Sequence, residues 1–127
     1  MLQNIHHIAI ICSDYPTSKT FYTEVLGLEI IKETFREERK SYKLDLALNG
    51  NYIIELFSFP DAPQRISRPE AQGLRHLAFS VIDIESAIKE LNAKGITTEA
   101  IRTDEITGKR FTFFEDPDQL PLELYEI

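Results

Sequence analysis

Apolar and polar positions alternate along residues 5–12, a stretch rich in isoleucine, and this period of two predicts a strand. Asp14 then offers a helix N-cap, and Pro16 suits a first helical turn. Phe21, Tyr22 and Val25 recur at helical spacing up to a stop at Gly27. Residues 28–36 read as a second strand. Residues 41–48 alternate through Tyr42, Leu44, Leu46 and Leu48, Asn49-Gly50 is a hairpin turn, and 52–58 complete the hairpin. The same order then returns. Residues 75–81 read as a strand, and Ile84, Ala87, Ile88 and Leu91 stand at i, i+3, i+4 and i+7 of an amphipathic helix that Gly95 ends. Strands are expected over 96–102, 109–114 and 121–126, with Asp116-Pro117-Asp118 turning between the last two.

The chain is therefore written twice. His7-Ile8-Ala9-Ile10 is matched by His76-Leu77-Ala78-Phe79, 69 residues later, and Asp14 by Asp83 at the same offset. Gly27 is matched by Gly95, and Ile54-Glu55-Leu56-Phe57 by Leu122-Glu123-Leu124-Tyr125, both at 68. Each half reads as β-α-β-β-β, which makes the fold class α+β. One domain over 1–127 results, with a first module of about 1–59, a connector at 60–73 holding three prolines, and a second module of about 74–127.

Composition narrows the functions this plan can serve. At 127 residues, with 43% apolar and 28% charged positions, the chain suits one compact domain or two small modules sharing a core. The 14 basic residues face 21 acidic ones, a formal charge of −7, which lacks the cationic footprint needed for nucleic acid or for an anionic membrane surface. The longest apolar run, Ile8–Cys12, is too short to span a bilayer, and no Lys or Arg precedes Lys19, which argues against a secretory signal. The single cysteine, Cys12, rules out an intrachain disulfide and a cysteine-cluster zinc site, and it reads as a small buried side chain. A cytoplasmic protein is expected. No glycine-rich phosphate loop, Gly-x-Ser-x-Gly elbow or His-Glu-x-x-His helix occurs.

Polar residues inside apolar strands carry the remaining information. Glu55 lies between Ile54 and Leu56, and Glu123 between Leu122 and Leu124. Each could simply point to water on a half-exposed sheet, and a lone strand His is most often a packed or exposed residue. Two of the three histidines, however, hold equivalent repeat positions, as do both glutamates. If the halves are related by pseudo-twofold symmetry, His7, Glu55, His76 and Glu123 form a set of two imidazoles and two carboxylates. Such a set suits a divalent ion such as zinc, nickel, cobalt or manganese, with room left for water or substrate oxygens. His6 is expected on the opposite strand face and has no repeat partner, Arg75 standing there instead.

These motifs carry a family resemblance over the whole chain. His7-Ile8-Ala9-Ile10, Phe21-Tyr22 through Leu26-Gly27-Leu28, Ile54-Glu55-Leu56, Leu74-Arg75-His76-Leu77-Ala78-Phe79, and Phe114-Glu115-Asp116-Pro117-Asp118 leading to Leu122-Glu123-Leu124 resemble the vicinal oxygen chelate superfamily. That superfamily includes glyoxalase I, bleomycin-resistance proteins, epimerases and extradiol dioxygenases. Asp-Pro-Asp is usually followed there by Gly; Gln119 departs from this and is expected to change the turn more than the chemistry. The resemblance implies two βαβββ modules forming a curved mixed sheet around a metal held by His7, Glu55, His76 and Glu123. It further implies a homodimer and a glyoxalase I-like lyase or isomerase. The substrate would carry vicinal oxygens, such as the hemithioacetal of methylglyoxal and a thiol, and react through a metal-stabilised enediolate, with Glu123 as base and Glu55 as its symmetric alternative. A non-catalytic small-molecule binding or resistance protein of the same fold, and a ferrous extradiol-type dioxygenase, are the competing readings. Arg65, Arg68 and Arg110 are candidates for meeting a substrate carboxylate, against the plainer reading of solvated surface arginines.

Overall fold

The strand–helix–three-strand order occurs twice in the computed structural model, which describes residues 1–127 as two units, Met1–Gln64 and Arg65–Ile127. The boundary falls inside the expected connector, where residues 59–76 form neither helix nor strand.

In the first unit, β1 (Ile8–Cys12) leads into α1 (Tyr15–Thr20). Asp14 caps α1, its carboxylate accepting from the Thr17 N–H at 3.0 Å, and Pro16 lies in the first turn, where its missing N–H costs nothing. The helix widens into a π turn over Phe21–Val25, with the Leu26 N–H reaching the Phe21 carbonyl, and this turns both Phe21 and Tyr22 into the core. Gly27, at φ +77, then reverses the chain into β2 (Glu29–Arg36). β3 (Ser41–Leu48) and β4 (Asn51–Ser58) form the hairpin. The sheet order is β1-β4-β3-β2, with β1 parallel to β4 and the other pairs antiparallel. Ile10, Cys12, Leu44, Leu46, Ile54 and Leu56 are buried with Phe21 and Tyr22, so one face of the sheet is committed to the α1 core.

The second unit repeats this with β5 (Leu77–Val81), α2 (Ile84–Ala93), β6 (Arg102–Thr103), β7 (Arg110–Glu115) and β8 (Pro121–Glu126), in the sheet order β5-β8-β7-β6. Asp83 caps α2 as Asp14 caps α1, and the two caps share one backbone conformation (φ −131, ψ 105 against φ −128, ψ 102). Ile84 and Leu91 of α2 are buried, as are Phe114, Leu120, Leu122 and Leu124. No helix is long and apolar enough to cross a membrane.

Three local expectations need correction. The strand expected over 96–102 is reduced to the two residues of β6. Before it the chain touches β7 at single points, the Glu99 N–H donating to the Phe113 carbonyl and the buried Thr112 hydroxyl to the Glu99 carbonyl, both at 2.8 Å. The first strand begins at Ile8 rather than residue 5, because its ladder to β4 starts at the Ile8–Ile54 pair. The turn after Asp116 keeps a glycine-like shape despite Gln119. That residue adopts φ +62, while the Asp116 carboxylate accepts from the N–H groups of Asp118 and Leu120 at 2.8 and 2.9 Å.

Candidate metal centre

Strand register brings each imidazole to its carboxylate. In the first unit Ala9 lies opposite Glu55 across the parallel β1–β4 pair, and His7, just before β1, reaches Glu55 with its side chain. Ala78 lies opposite Glu123 in the second unit, with His76 two residues before it. The repeat seen in the sequence is thus a repeat of register. His7 Nε2 lies 3.4 Å from Glu55 Oε1, and His76 Nε2 lies 3.0 Å from Glu123 Oε2. Both carboxylates are well enclosed, at 13% and 12% side-chain exposure, and both imidazoles are about one-third exposed. In each unit the carboxylate alternates with buried core residues, Ile54 and Leu56 or Leu122 and Leu124, and so faces away from the core side of its own sheet. Burying a carboxylate costs several kcal/mol, roughly, unless a cation or hydrogen bonds replace its water.

The two pairs differ in their surroundings. Glu55 is held by the Tyr52 hydroxyl at 2.5 Å and by Lys43 Nζ at 3.4 Å; Tyr52 also reaches Asp45 at 3.0 Å, and Lys43 binds Asp45 at 2.8 Å. Burial pushes the Glu55 carboxyl up, but the hydrogen bonds from Tyr52 and Lys43, aided by the Lys43 and His7 charges, outweigh it and hold the group below its ordinary value. Burial, reinforced by hydrogen bonding to Glu55 and Asp45, drives the Tyr52 phenol far above its usual range, so it stays a neutral donor. Hydrogen bonding to Asp45 is the main cause of a raised Lys43 value.

Around Glu123 the second module places aromatic surface instead. Phe113 lies directly opposite it on β7, where the first module has Asp45 opposite Glu55, and the Phe113 ring meets His76 edge-on at 5.0 Å. Glu123 has only the His76 ion pair, and His76 Nδ1 is buried without a hydrogen-bond partner.

Lys43, Asp45 and Tyr52 escaped the sequence reading. The signal was present for Asp45, which lies between Leu44 and Leu46 as Glu55 lies between Ile54 and Leu56, but a comparison of repeats hides it because its counterpart is Phe113. His6 does not point away from His7 as the alternation predicts: both histidines precede β1, His6 Nδ1 lies 2.8 Å from that of His7, and the His6 ring packs on Tyr52 at 5.1 Å. Of the candidate arginines, Arg110 is not free for a substrate: it binds Glu126 through two nitrogens and Glu85 at 3.2 Å. Arg68 lies 4.0 and 3.9 Å from Glu99 and Glu115, and Arg65 is held by Ser67 and the Leu74 carbonyl.

The donor set fits a divalent transition ion. Imidazole nitrogens and carboxylate oxygens bound to one ion at about 2.0–2.2 Å lie roughly 3.0–3.5 Å apart in octahedral or tetrahedral geometry, which both His–Glu pairs already match. Each pair supplies two donors, and the chain has no group of three or more His, Cys, Asp or Glu side chains placed to hold an ion.

Known proteins resemble this chain along its length. The uncharacterized protein YwkD of Bacillus subtilis (strain 168) is 70% identical, covering 99% of this chain and 98% of that protein. The uncharacterized protein YaeR of Escherichia coli (strain K12) is 61% identical, covering 98% and 97%. The crystal structure of a glyoxalase family protein from Enterococcus faecalis superposes with a TM-score of 0.91 at 52% identity, covering 98% of each chain. More distant relatives are enzymes: the 2-epi-5-epi-valiolone epimerase of an Actinomyces species, at 28% identity, and the lactoylglutathione lyase of Schizosaccharomyces pombe, at 30%. The latter match covers 94% of this chain but 46% of the lyase. With the family model matching residues 4–124, the chain belongs to the Glyoxalase/Bleomycin resistance protein/Dioxygenase superfamily.

Proposed function

We propose that the protein is a metal-dependent lyase or isomerase of glyoxalase I type, a cytoplasmic homodimer acting on a small substrate with two neighbouring oxygens. A methylglyoxal–thiol hemithioacetal is the representative case. His7, Glu55, His76 and Glu123 would together hold one zinc, nickel, cobalt or manganese ion. The observation that carries this reading is the twice-repeated His–Glu pair, on enclosed carboxylates, at the separation of neighbouring ligands on one ion. When bound, such an ion supplies Lewis-acid stabilisation of negative charge on the substrate oxygens.

The protein's own groups divide the remaining work. Lys43 and Tyr52 keep Glu55 anionic and fixed, which suits a permanent ligand. Glu123 has no lysine or tyrosine donor, only His76 and the aromatic wall of Phe113, and is free to take a proton from one substrate carbon and return it to the next.

Elemental analysis of protein purified without added metal, paired with solvent-deuterium exchange into a hemithioacetal, tests the reading. Nickel, zinc, cobalt or manganese together with exchange is the expected result. Protein that takes up no metal under any loading condition would instead be a small-molecule binding protein, and iron with oxygen uptake on a catechol would make it a dioxygenase.

A further inference from the structure

A second charged feature stands on the same sheet face as Glu55 and takes no part in holding it. β2 ends at Arg36, opposite Ser41 on β3, and the Arg36 guanidinium carbon lies 4.8 Å from the centre of the Phe57 ring and 5.5 Å from that of Phe59. The two rings stack on each other, 5.4 Å apart and 11° from parallel, and Arg39 lies 4.8 Å from the Phe59 centre. Phe57 is two residues beyond Glu55 on β4, which puts it on the same face at a distance of about 7 Å along the strand.

The partners of these arginines are incomplete. Arg68, Arg75, Arg102 and Arg110 each have a carboxylate within 4.0 Å. Arg36, Arg39 and Arg65 have none, in a chain with 21 acidic residues to choose from, and of these Arg65 is held instead by Ser67 and the Leu74 carbonyl. Arg36 donates to Ser41 Oγ at 3.1 Å, while its Nε is buried with no acceptor. A guanidinium presents five N–H donors in a planar fork, and a buried donor left unpaired is costly unless something else brings the acceptor. An oxyanion is the ligand that such a fork matches, and the flanking rings would cover an apolar segment beside it.

We propose that Arg36, assisted by Arg39 and seated on the Phe57–Phe59 rings, is the subsite for an anionic group of the substrate, a carboxylate or a phosphoryl group. The inference rests on the reading of Glu55 as part of the reacting centre. It narrows the substrate class to molecules that carry an oxyanion apart from the reacting oxygens.

The test uses the full chain freed of metal, so it does not depend on metal binding or turnover. Methylphosphonate, acetate and the neutral control acetamide are titrated while the arginine Nε–H signals are followed by NMR. The Arg36 signal is expected to move with methylphosphonate if the group is phosphoryl, with acetate if it is a carboxylate, and with acetamide in neither case. Arg36→Met is expected to weaken the anion at least tenfold. Arg39→Gln, at an exposed position that leaves the core alone, is expected to weaken it about threefold. Lys89→Met on the exposed face of α2 should change nothing. An Arg36 signal indifferent to both anions, or equal affinity in the arginine variants and the unaltered protein, overturns the subsite. Metal content measured on the same preparations reports separately on the His–Glu set.

Discussion

Glu55 and Glu123 are the same residue type in the same register, yet their neighbours assign them different work. Tyr52 and Lys43 surround the first with donors, whereas Phe113 and a single imidazole surround the second. Glu123→Gln keeps an oxygen donor but loses the basic site. It is expected to retain most of the metal while solvent-deuterium exchange into the substrate falls by a factor of about 10²–10⁴. Glu55→Gln is expected to lower metal content first, since it also leaves Lys43 and Tyr52 facing a neutral amide. Metal analysis and exchange rates on the two variants separate these roles, and equal behaviour of the pair would refute the division. Asp45 shows why this asymmetry escaped the sequence: the repeat exposes what the halves share and conceals where they differ.

At the scale of elements, the parallel β1–β4 and β5–β8 pairs carry the site, and the helices keep the opposite face dry. Glu126, at the end of β8, fastens the second of these arrangements. Its carboxylate accepts from Arg110 at 2.8 and 2.9 Å and from the Ile84 N–H at the start of α2 at 3.0 Å. The Arg110 hydrogen bonds, followed by the Ile84 N–H, pull the Glu126 pKa from its ordinary 4.5 to about 2. Folding therefore favours the charged form. The stabilisation is complete above the unfolded value near 4.5 and is lost as pH falls from there through about 2. Glu126→Gln is expected to lower the melting temperature at pH 7 and to flatten the acid-side fall in stability between pH 4.5 and 2. Thermal melts across that range provide the measurement, and superimposable profiles for the variant and the unaltered protein would remove Glu126 from this role.

At the scale of the whole molecule, a supply of two donors per unit makes the assembly of the set the central question. For a homodimer in which each ion takes His7 and Glu55 from one copy and His76 and Glu123 from the other, mixed variants are diagnostic. His7→Ala and His76→Ala alone should each lose metal. Refolded together in equal amounts they should recover about a quarter of the wild-type metal content, because half the dimers are mixed and one of the two sites in each is intact. Elemental analysis of the mixture reads this directly, and no recovery would place all four ligands within one copy.

The amino-acid sequence by itself determined the order of elements, the two helix caps at Asp14 and Asp83, the division near the connector, and the family. These follow from local periodicity, capping chemistry and repeated motifs, all of which act over a few residues. It also singled out both His–Glu pairs, because a carboxylate between two core leucine or isoleucine neighbours conflicts with its surroundings unless it has a purpose. Tertiary structure alone decided what surrounds each pair. Strand pairing put Lys43 beside Glu55 and Phe113 beside Glu123, and the register shift in the β3–β4 pair lets Tyr52, three residues before Glu55 on the same strand, reach it, all from positions that the linear pattern leaves unmarked. It also turned His6 toward His7, shortened β6 to two residues, engaged Arg110 with Glu126, and left Arg36 on two phenylalanine rings without a carboxylate. These outcomes depend on which side chains meet across neighbouring strands, a matter of register and packing that periodicity along one strand does not encode.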